Sequence, residues 1–178
     1  MKSPLKDKPL HNPGQSSDEH IQNYRDDKIL SPLLFALFMI FLAIVEWGHW
    51  ILNSPRMPGW MTAIAIIASI YAVISFITGK KKLKALRQGR DGEIAAGQYL
   101  EFLRERGAKV FHDIQGESFN LDHVVIDKSG IYVIETKTFS KPEKGKTKVI
   151  YDGEKILLNG RELDRNPIVQ VKAACNWL

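Results

Sequence analysis

Two acidic residues and a lysine fall on neighbouring predicted strands of this 178-residue chain. The runs LDHVVID and GIYVIETK are rich in β-branched residues and flank a short turn, which predicts a β-hairpin. If Asp127 pairs with Gly130, counting back along both strands places Asp122 opposite Glu135. Opposite side chains of an antiparallel pair point to the same face, with Cβ atoms about 5 Å apart. Lys137 follows Glu135 by two residues, so it belongs to that face as well.

Two carboxylates at this separation repel each other, and a divalent cation between them removes the repulsion. Hard oxygen ligands on a short arc suit Mg²⁺ or Mn²⁺, which can polarise a phosphodiester and help to deprotonate a water. A nearby lysine can orient that water or stabilise negative charge in the transition state. The alternative is a surface cross-strand pair neutralised by Lys137. Ile131 and Val133 precede Glu135 on the same face, which favours a packed face with the charges at the rim of a core.

The elements around this hairpin predict a small α/β domain over residues 89–178. A helix is expected from Asp91, as its N-cap, to Arg106, with Gly107 ending it. A strand follows over residues 108–114, and Asp152-Gly153 marks the bend of a later hairpin. Asn166 followed by a proline is typical of an N-cap and predicts a final helix.

These elements, in this order, carry a resemblance. Gly92-Glu93 at a helix, then NLDHVVID, SGIYVIETK and NPIVQ, resemble the NERD (nuclease-related) domain family over roughly residues 89–178. That resemblance implies a restriction-endonuclease-like α/β fold, with a central mixed sheet flanked by helices. The signature of this fold is an acid, a spacer and then (D/E)-x-K, which here is Asp122 followed by Glu135-Thr136-Lys137.

The resemblance also implies roles for individual residues. Asp122 and Glu135 would be the metal ligands, with Mg²⁺ or Mn²⁺ as the cofactor, and Lys137 the catalytic lysine. Glu93, expected in the first turn of the opening helix, would be a further acidic member of the site. Gln170, in the first turn of the last helix, would be its polar residue. For both, an ordinary position in the first turn of a helix is the competing interpretation.

His123 alternates away from Asp122, so we interpret it as structural. The resemblance also implies a strand after the helix that bears Gln170. We therefore expect either that the natural chain continues past Leu178, or that the sheet edge is open or completed by a partner.

The first half of the chain is of another kind. Residues 32–52 and 60–78 are two apolar runs, and as helices each spans about 30 Å, the thickness of a bilayer's hydrocarbon core. The link between them holds two prolines and a glycine, so we predict a transmembrane hairpin over residues 31–79. Residues 1–30 are polar and predicted to be a disordered tail.

Charge predicts the orientation. Residues 80–88 form a basic stem with several lysines and no acid, whereas the link carries one arginine. Cations in short flanking segments stay in the cytoplasm, so both termini and the domain are expected there, with the spans in the cell's inner membrane. For the stem, contact with anionic lipid competes with nucleic acid as the reason for the net charge of +5. A single cysteine, Cys175, allows no internal disulfide.

Three functions fit this sequence. The first is a membrane-anchored, metal-dependent phosphodiesterase acting on DNA or RNA. The second is a non-catalytic module of the same fold that binds nucleic acid or a protein. The third is a structural membrane protein with a decayed site, which the intact set of candidate residues disfavours: Glu93, Asp122, Glu135, Lys137 and Gln170.

Overall fold

A computed structural model describes residues 10–52, 58–116, 119–140, 147–163 and 165–178 of the chain. These residues form two compact units. One, the helical unit, is Asp18–Arg87, and the other combines the described residues before Asp18 with Gln88–Leu178. Residues 1–9, most of the predicted link between the apolar runs and most of the lysine-rich stretch around residues 141–148 lie outside the described residues.

Helices dominate the first half of the chain. Helix α1 is Gln15–Arg25, a π-helical turn follows at Asp26–Leu30, and helices α2 and α3 are Ser31–Ile51 and Pro58–Glu105. The prediction of a disordered tail is therefore wrong for residues 15–30. Before α1 the chain makes a turn in which Gly14 is left-handed (φ 72°) and Asn12 N donates a hydrogen bond to Gln15 Oε1 at 3.2 Å.

Two helical stretches, Gln15–Ile51 and Gly59–Glu105, are long and apolar enough to cross a membrane, judged by length and composition alone. Small residues fill the contact between α2 and α3, where Ala36, Ala68 and Ala72 form a buried cluster. Trp47 Nε1 also donates a hydrogen bond to Thr62 Oγ1 at 2.9 Å. The large apolar side chains of these helices point outward, so their packing depends on close approach of small residues.

Helix α3 continues without a break through the basic stem as far as Glu105. The prediction that a new helix begins at Asp91 is wrong. Residues 80–90 are mostly lysine, leucine, alanine, arginine and glutamine, which all favour helix, and an isolated glycine costs only about 1 kcal/mol. The helix ends where predicted, with Gly107 in a left-handed conformation (φ 92°) and Ala108 N donating to Leu103 O at 3.1 Å.

Two small antiparallel sheets follow. Strands β1 (Lys109–Gln115), β2 (Asn120–Asp127) and β3 (Gly130–Ile134) pair in the order β1-β2-β3. Strands β4 (Val149–Tyr151), β5 (Ile156–Leu158) and β6 (Arg161–Glu162) form the second sheet in the order β4-β5-β6. The β4–β5 hairpin bends at Gly153 (φ 104°), as predicted.

Among the described residues every strand pair is antiparallel, whereas the sequence analysis predicts a mixed sheet. The connections explain this difference. Parallel neighbours need a crossover of a dozen or more residues, but four residues separate β1 from β2 and two separate β2 from β3.

Helix α4 (Pro167–Trp177) closes the core of the first sheet. Asn166 is its N-cap, accepting a hydrogen bond from Ile168 N at 3.0 Å, and Pro167 occupies the first turn, as predicted. Ala174 packs with Leu121 and Val124 of β2, and Val133 of β3 packs against the same cluster. This core therefore supports the strand that carries Asp122.

Candidate functional site

The predicted register of the β2–β3 hairpin is confirmed. Asp127 pairs with Gly130, and the pairing runs without a slip to His123 opposite Ile134. Asp122 and Glu135 are the next positions, just beyond the end of β3. Thr136 N donates a hydrogen bond to Asp122 Oδ2 at 2.7 Å. The hairpin therefore holds the Asp122 carboxylate against the segment that carries Glu135 and Lys137.

Glu135 and Lys137 form an ion pair at the rim of the core. Lys137 Nζ lies 2.5 Å from Glu135 Oε1, and the two side chains are 33% and 16% exposed. A lysine at this position offsets the charge of one carboxylate. Its charge also lowers the pKa of Asp122 and of Glu93, but less than burial raises them.

Glu93 reaches the same place from the interior of α3. The prediction that it lies in the first turn of a helix is wrong, since α3 begins far earlier, at Pro58. The close approach depends on Gly92, because a Cβ there would lie 1.9 Å from Thr138 Cγ2. With glycine at this position the helix backbone packs directly against the residue that follows Lys137.

The electrostatics show that these four residues form one cluster. The pKa of Asp122 is raised to about 7, mainly by burial and also by the charges of Glu135 and Glu93, against the opposing hydrogen bond from Thr136 and the charge of Lys137. The pKa of Glu93 is also raised, mainly by burial, and it too responds to Glu135 and Lys137. Three carboxylates thus share one ammonium, which is a surplus of negative charge that suits a cation.

Gln170 is placed differently. It lies in the first turn of α4, as predicted, with its backbone N–H bonded to Asn166 O at 3.3 Å. Its side-chain Oε1 is buried and accepts no hydrogen bond in the described part of the chain. Its membership of the site stays a prediction.

His123, which the sequence predicts to be structural, lies beside α3, where a Cβ at Gly97 would be 3.4 Å from its ring. It is fully buried, and its Nδ1 lies 2.8 Å from Nδ1 of His112, whose Nε2 lies 2.7 Å from Glu101 Oε1. Burial, with a smaller contribution from the charge of His112, lowers the pKa of His123 to about 4. These contacts tie β1 and β2 to α3 and leave His123 with a structural role.

One acidic residue near the site was missed. Asp113 of β1 lies across from Asp122 in the register of β1 and β2, is 5% exposed and has a left-handed backbone (φ 49°). Its charge helps to raise the pKa of Glu93. The alternation of β1 placed Asp113 on one face with Phe111, but a strand pattern does not reveal a local left-handed residue.

The comparison with family models decides the family. The model of the nuclease-related domain, NERD, matches residues 88–178, which is half of the chain. The chain belongs to the NERD family. No curated protein and no solved structure matches it. The clustered residues of α3, β2 and the segment after β3 all lie within the matched range.

Whether the NERD domain fits a metal depends on its donors. The described residues contain no group of three or more His, Cys, Asp or Glu side chains arranged to hold an ion. Mg²⁺, however, is commonly held by one or two carboxylates together with waters and substrate phosphates. Asp122 and Glu135 are two carboxylates of this kind, and burial, more than the charges of Glu135 and Glu93, raises the pKa of Asp122. Binding of a hard divalent cation by Asp122 and Glu135 therefore stays a prediction.

Proposed function

We propose that the NERD domain of this chain is a metal-dependent phosphodiesterase acting on DNA or RNA, held at the cytoplasmic face of a membrane. The observation that carries this proposal is the cluster of Glu93, Asp122, Glu135 and Lys137, in which the carboxylates outnumber the ammonium. Membership of a nuclease-related family supports the substrate class, and the (D/E)-x-K spacing supports a restriction-endonuclease-like core.

In this proposal Asp122 and Glu135 hold Mg²⁺ or Mn²⁺, which when bound supplies a Lewis acid for the phosphodiester. Thr136 N keeps the Asp122 carboxylate in place. Lys137 loses part of its attraction to Glu135 once a cation shares that carboxylate, and its ammonium can then stabilise charge that develops on the phosphate. Glu93, already half-buried, adds a carboxylate on the helix side that can orient a water.

The anchoring rests on separate observations. Two helical stretches have the length and apolarity of membrane spans, and their antiparallel contacts support a transmembrane hairpin. The lysines of residues 80–88 continue α3 beyond the apolar part, where anionic lipid headgroups would meet them. The same asymmetry supports cytoplasmic termini and a cytoplasmic NERD domain, with the spans in the inner membrane of the cell. Reporters fused after Gln88 should read as cytoplasmic, and a domain found outside would overturn this orientation.

The second candidate is a non-catalytic module that binds nucleic acid or a protein partner. The ion pair between Lys137 and Glu135, and the lack of a larger ligand group in the described residues, favour it. A module of this kind would bind nucleic acid with or without Mg²⁺ and would never cut it.

Substitution of the lysine separates the two candidates. The full chain in detergent micelles should cut DNA or RNA with Mg²⁺ or Mn²⁺ and not with EDTA. Lys137→Ala should lower kcat at least about a hundredfold, the usual effect of removing a group that stabilises the transition state. Binding of Mn²⁺, followed by electron paramagnetic resonance, should persist because the lysine is not a ligand.

The chain contains a matched control. Lys155 Nζ lies 2.6 Å from Glu162 Oε1, an ion pair of the same kind on exposed strands of the second sheet. Lys155→Ala should leave cleavage unchanged. A wild-type chain that binds nucleic acid but never cleaves it, across both metals, would establish the binding module instead.

A further inference from the structure

The described residues before α1 and the first turn of that helix belong to the same compact unit as the NERD domain, although the family match begins only at residue 88. We call residues 10–17 the N-terminal segment. It forms a β-bridge between His11 and His112 of β1. Its helical turn faces the acidic side chains described above. The segment is therefore a part of this unit that the family match does not include.

Asp113 anchors the segment. The backbone N–H of Ser16 donates to Asp113 Oδ2 at 2.8 Å, the Ser16 hydroxyl bonds Asp113 Oδ1, and His11 Nδ1 lies 3.1 Å from Oδ2. Asn120 Nδ2 of β2 donates to Ser16 Oγ at 3.0 Å. A carboxylate that is 5% exposed needs such partners, because a buried charge without hydrogen bonds is costly.

The N-terminal segment also packs closely against α3. A Cβ at Gly97 of α3 would lie 2.5 Å from Pro13 Cγ, so only glycine allows this approach. Gly14 has a left-handed backbone (φ 72°), and a Cβ there would lie 3.1 Å from Arg90 Cγ. Two glycines on opposite sides of one contact indicate a built interface.

Ser17 is the residue through which this interface reaches the candidate site. Its hydroxyl donates to Glu93 Oε2 at 2.8 Å. We propose that Ser17 is a positioning residue for Glu93, so that the N-terminal segment completes the site of the NERD domain. This inference rests on the proposed phosphodiesterase function and adds to it a residue from outside the matched range.

The physical reason lies in the surroundings of Glu93. Its carboxylate is half-buried among other acids, which favours its neutral form, and the hydrogen bond from Ser17 opposes that effect on its pKa. The same hydrogen bond holds Glu93 Oε2 in place, and so it also sets the direction of the other carboxylate oxygen. Without the hydroxyl of Ser17, the Glu93 carboxylate would lose this hydrogen bond and with it its fixed orientation toward the other residues of the site.

The test uses the full chain in detergent with Mn²⁺ and a labelled nucleic-acid substrate. Ser17→Ala should lower kcat about tenfold with KM little changed, the low end for loss of a hydrogen bond to a charged group. Ser17→Thr, which keeps the hydroxyl, should restore the wild-type rate. Ser17→Val, which has the shape of threonine without the hydroxyl, should behave like Ser17→Ala.

Two further measurements separate positioning from folding. Ser16→Ala removes a hydroxyl of the same turn that bonds Asp113 and not Glu93, so it should change kcat by less than about twofold. Slow exchange of the residue 16 amide, which donates to Asp113, reports that the segment is docked in each variant. If Ser17→Ala loses that protection, the comparison of Ser17→Thr with Ser17→Val decides.

Each outcome has a distinct meaning. Equal kcat for Ser17→Thr and Ser17→Val, whether both fast or both slow, would overturn the positioning role while leaving the phosphodiesterase proposal intact. A wild-type chain that cuts no nucleic acid would overturn that proposal and this inference together. A tenfold difference between the two isosteric variants would support both.

Discussion

The helical unit and the NERD domain bury opposite kinds of residue. Within residues 33–78 of the helical unit, where the structure describes them, the buried side chains are alanines, such as Ala65, Ala68 and Ala72, while Ile67 is 67% exposed. In the NERD domain Val110, Leu121 and Val124 are 0–2% exposed. In water, exposed isoleucine side chains are unfavourable and buried valine and leucine side chains are favourable, because the free energy of burial follows apolar area.

The difference supports the proposal that the two units have different surroundings. Helices that pack in lipid gain nothing by hiding leucine or isoleucine, so small residues that allow close approach occupy their contacts. A domain in water is stabilised by burying its largest apolar side chains. The proposal of a membrane anchor rests on this contrast as much as on helix length. Substitutions in either unit can test it.

The largest effect is expected in the core of the NERD domain. Leu121→Ala should lower the free energy of unfolding by about 2–5 kcal/mol, because it leaves a cavity against Val124 and Ala174. Urea unfolding followed by the fluorescence of Trp177, which stacks edge-on against Phe119, measures it. Val149→Ala, at a residue 62% exposed, should stay within about 0.5 kcal/mol. Equal effects at both positions would contradict the core described here.

A charge on the outer face of the helical unit tests the other side of the contrast. Ile67→Arg should oppose insertion by about 2.5–3.5 kcal/mol, the cost of arginine near the centre of a span. The fraction of the chain that resists alkaline extraction from membranes measures it. The control is Ile131→Arg, at an isoleucine of β3 that is also exposed (58%). Should both variants remain in the membrane fraction equally, lipid does not surround Ile67.

The acidic cluster predicts a pH dependence confined to the NERD domain. The pKa of Asp122 is raised from 3.8 to about 7, so the folded state holds this proton more tightly than the unfolded state. Stability from this group is therefore present below about pH 4 and is lost as pH rises to about 7. Asp122→Asn should raise the free energy of unfolding by at least about 1 kcal/mol at pH 8 and change it little at pH 4.

The same measurement carries its own check. Melting curves of wild type and Asp122→Asn in metal-free buffer should converge toward acid pH. Curves that stay parallel from pH 4 to pH 8 would show that Asp122 is not desolvated in the folded domain.

The smallest effects concern two glycines in α3. Gly89 has open space around it, so Gly89→Ala should stabilise the helix by about 0.5–1 kcal/mol. Gly92→Ala should instead destabilise the domain and slow cleavage, because the new methyl group displaces Thr138 and with it Lys137. Thr138→Ala in the same chain should recover part of that loss. If Gly92→Ala also stabilises, Glu93 does not depend on this close approach.

The sequence by itself determined the local features of both units. Apolar runs of the right length marked the long helices, and alternation with a two-residue turn predicted the register observed from Asp127 and Gly130 to His123 and Ile134. The N-cap of α4 and the bend at Gly153 were equally readable, because turn and cap chemistry depends on neighbouring residues only. The roles of Glu93 and Gln170 came from a family resemblance.

Only the tertiary structure decided the contacts between residues far apart in the chain. The polar composition of residues 1–30 led to a prediction of disorder, but the first turn of a helix there contacts Asp113 and Glu93. The residues Ser16-Ser17-Asp18-Glu19 do carry a pattern typical of a helix start. Asp91 has the type of an N-cap, yet the helix formers before it carry α3 past it. The local sequence pattern sets the preferred backbone dihedral angles and the apolar face of each helix or strand. Which faces meet depends on packing. At Gly92, for example, a Cβ would lie 1.9 Å from Thr138 Cγ2, so the contact requires glycine.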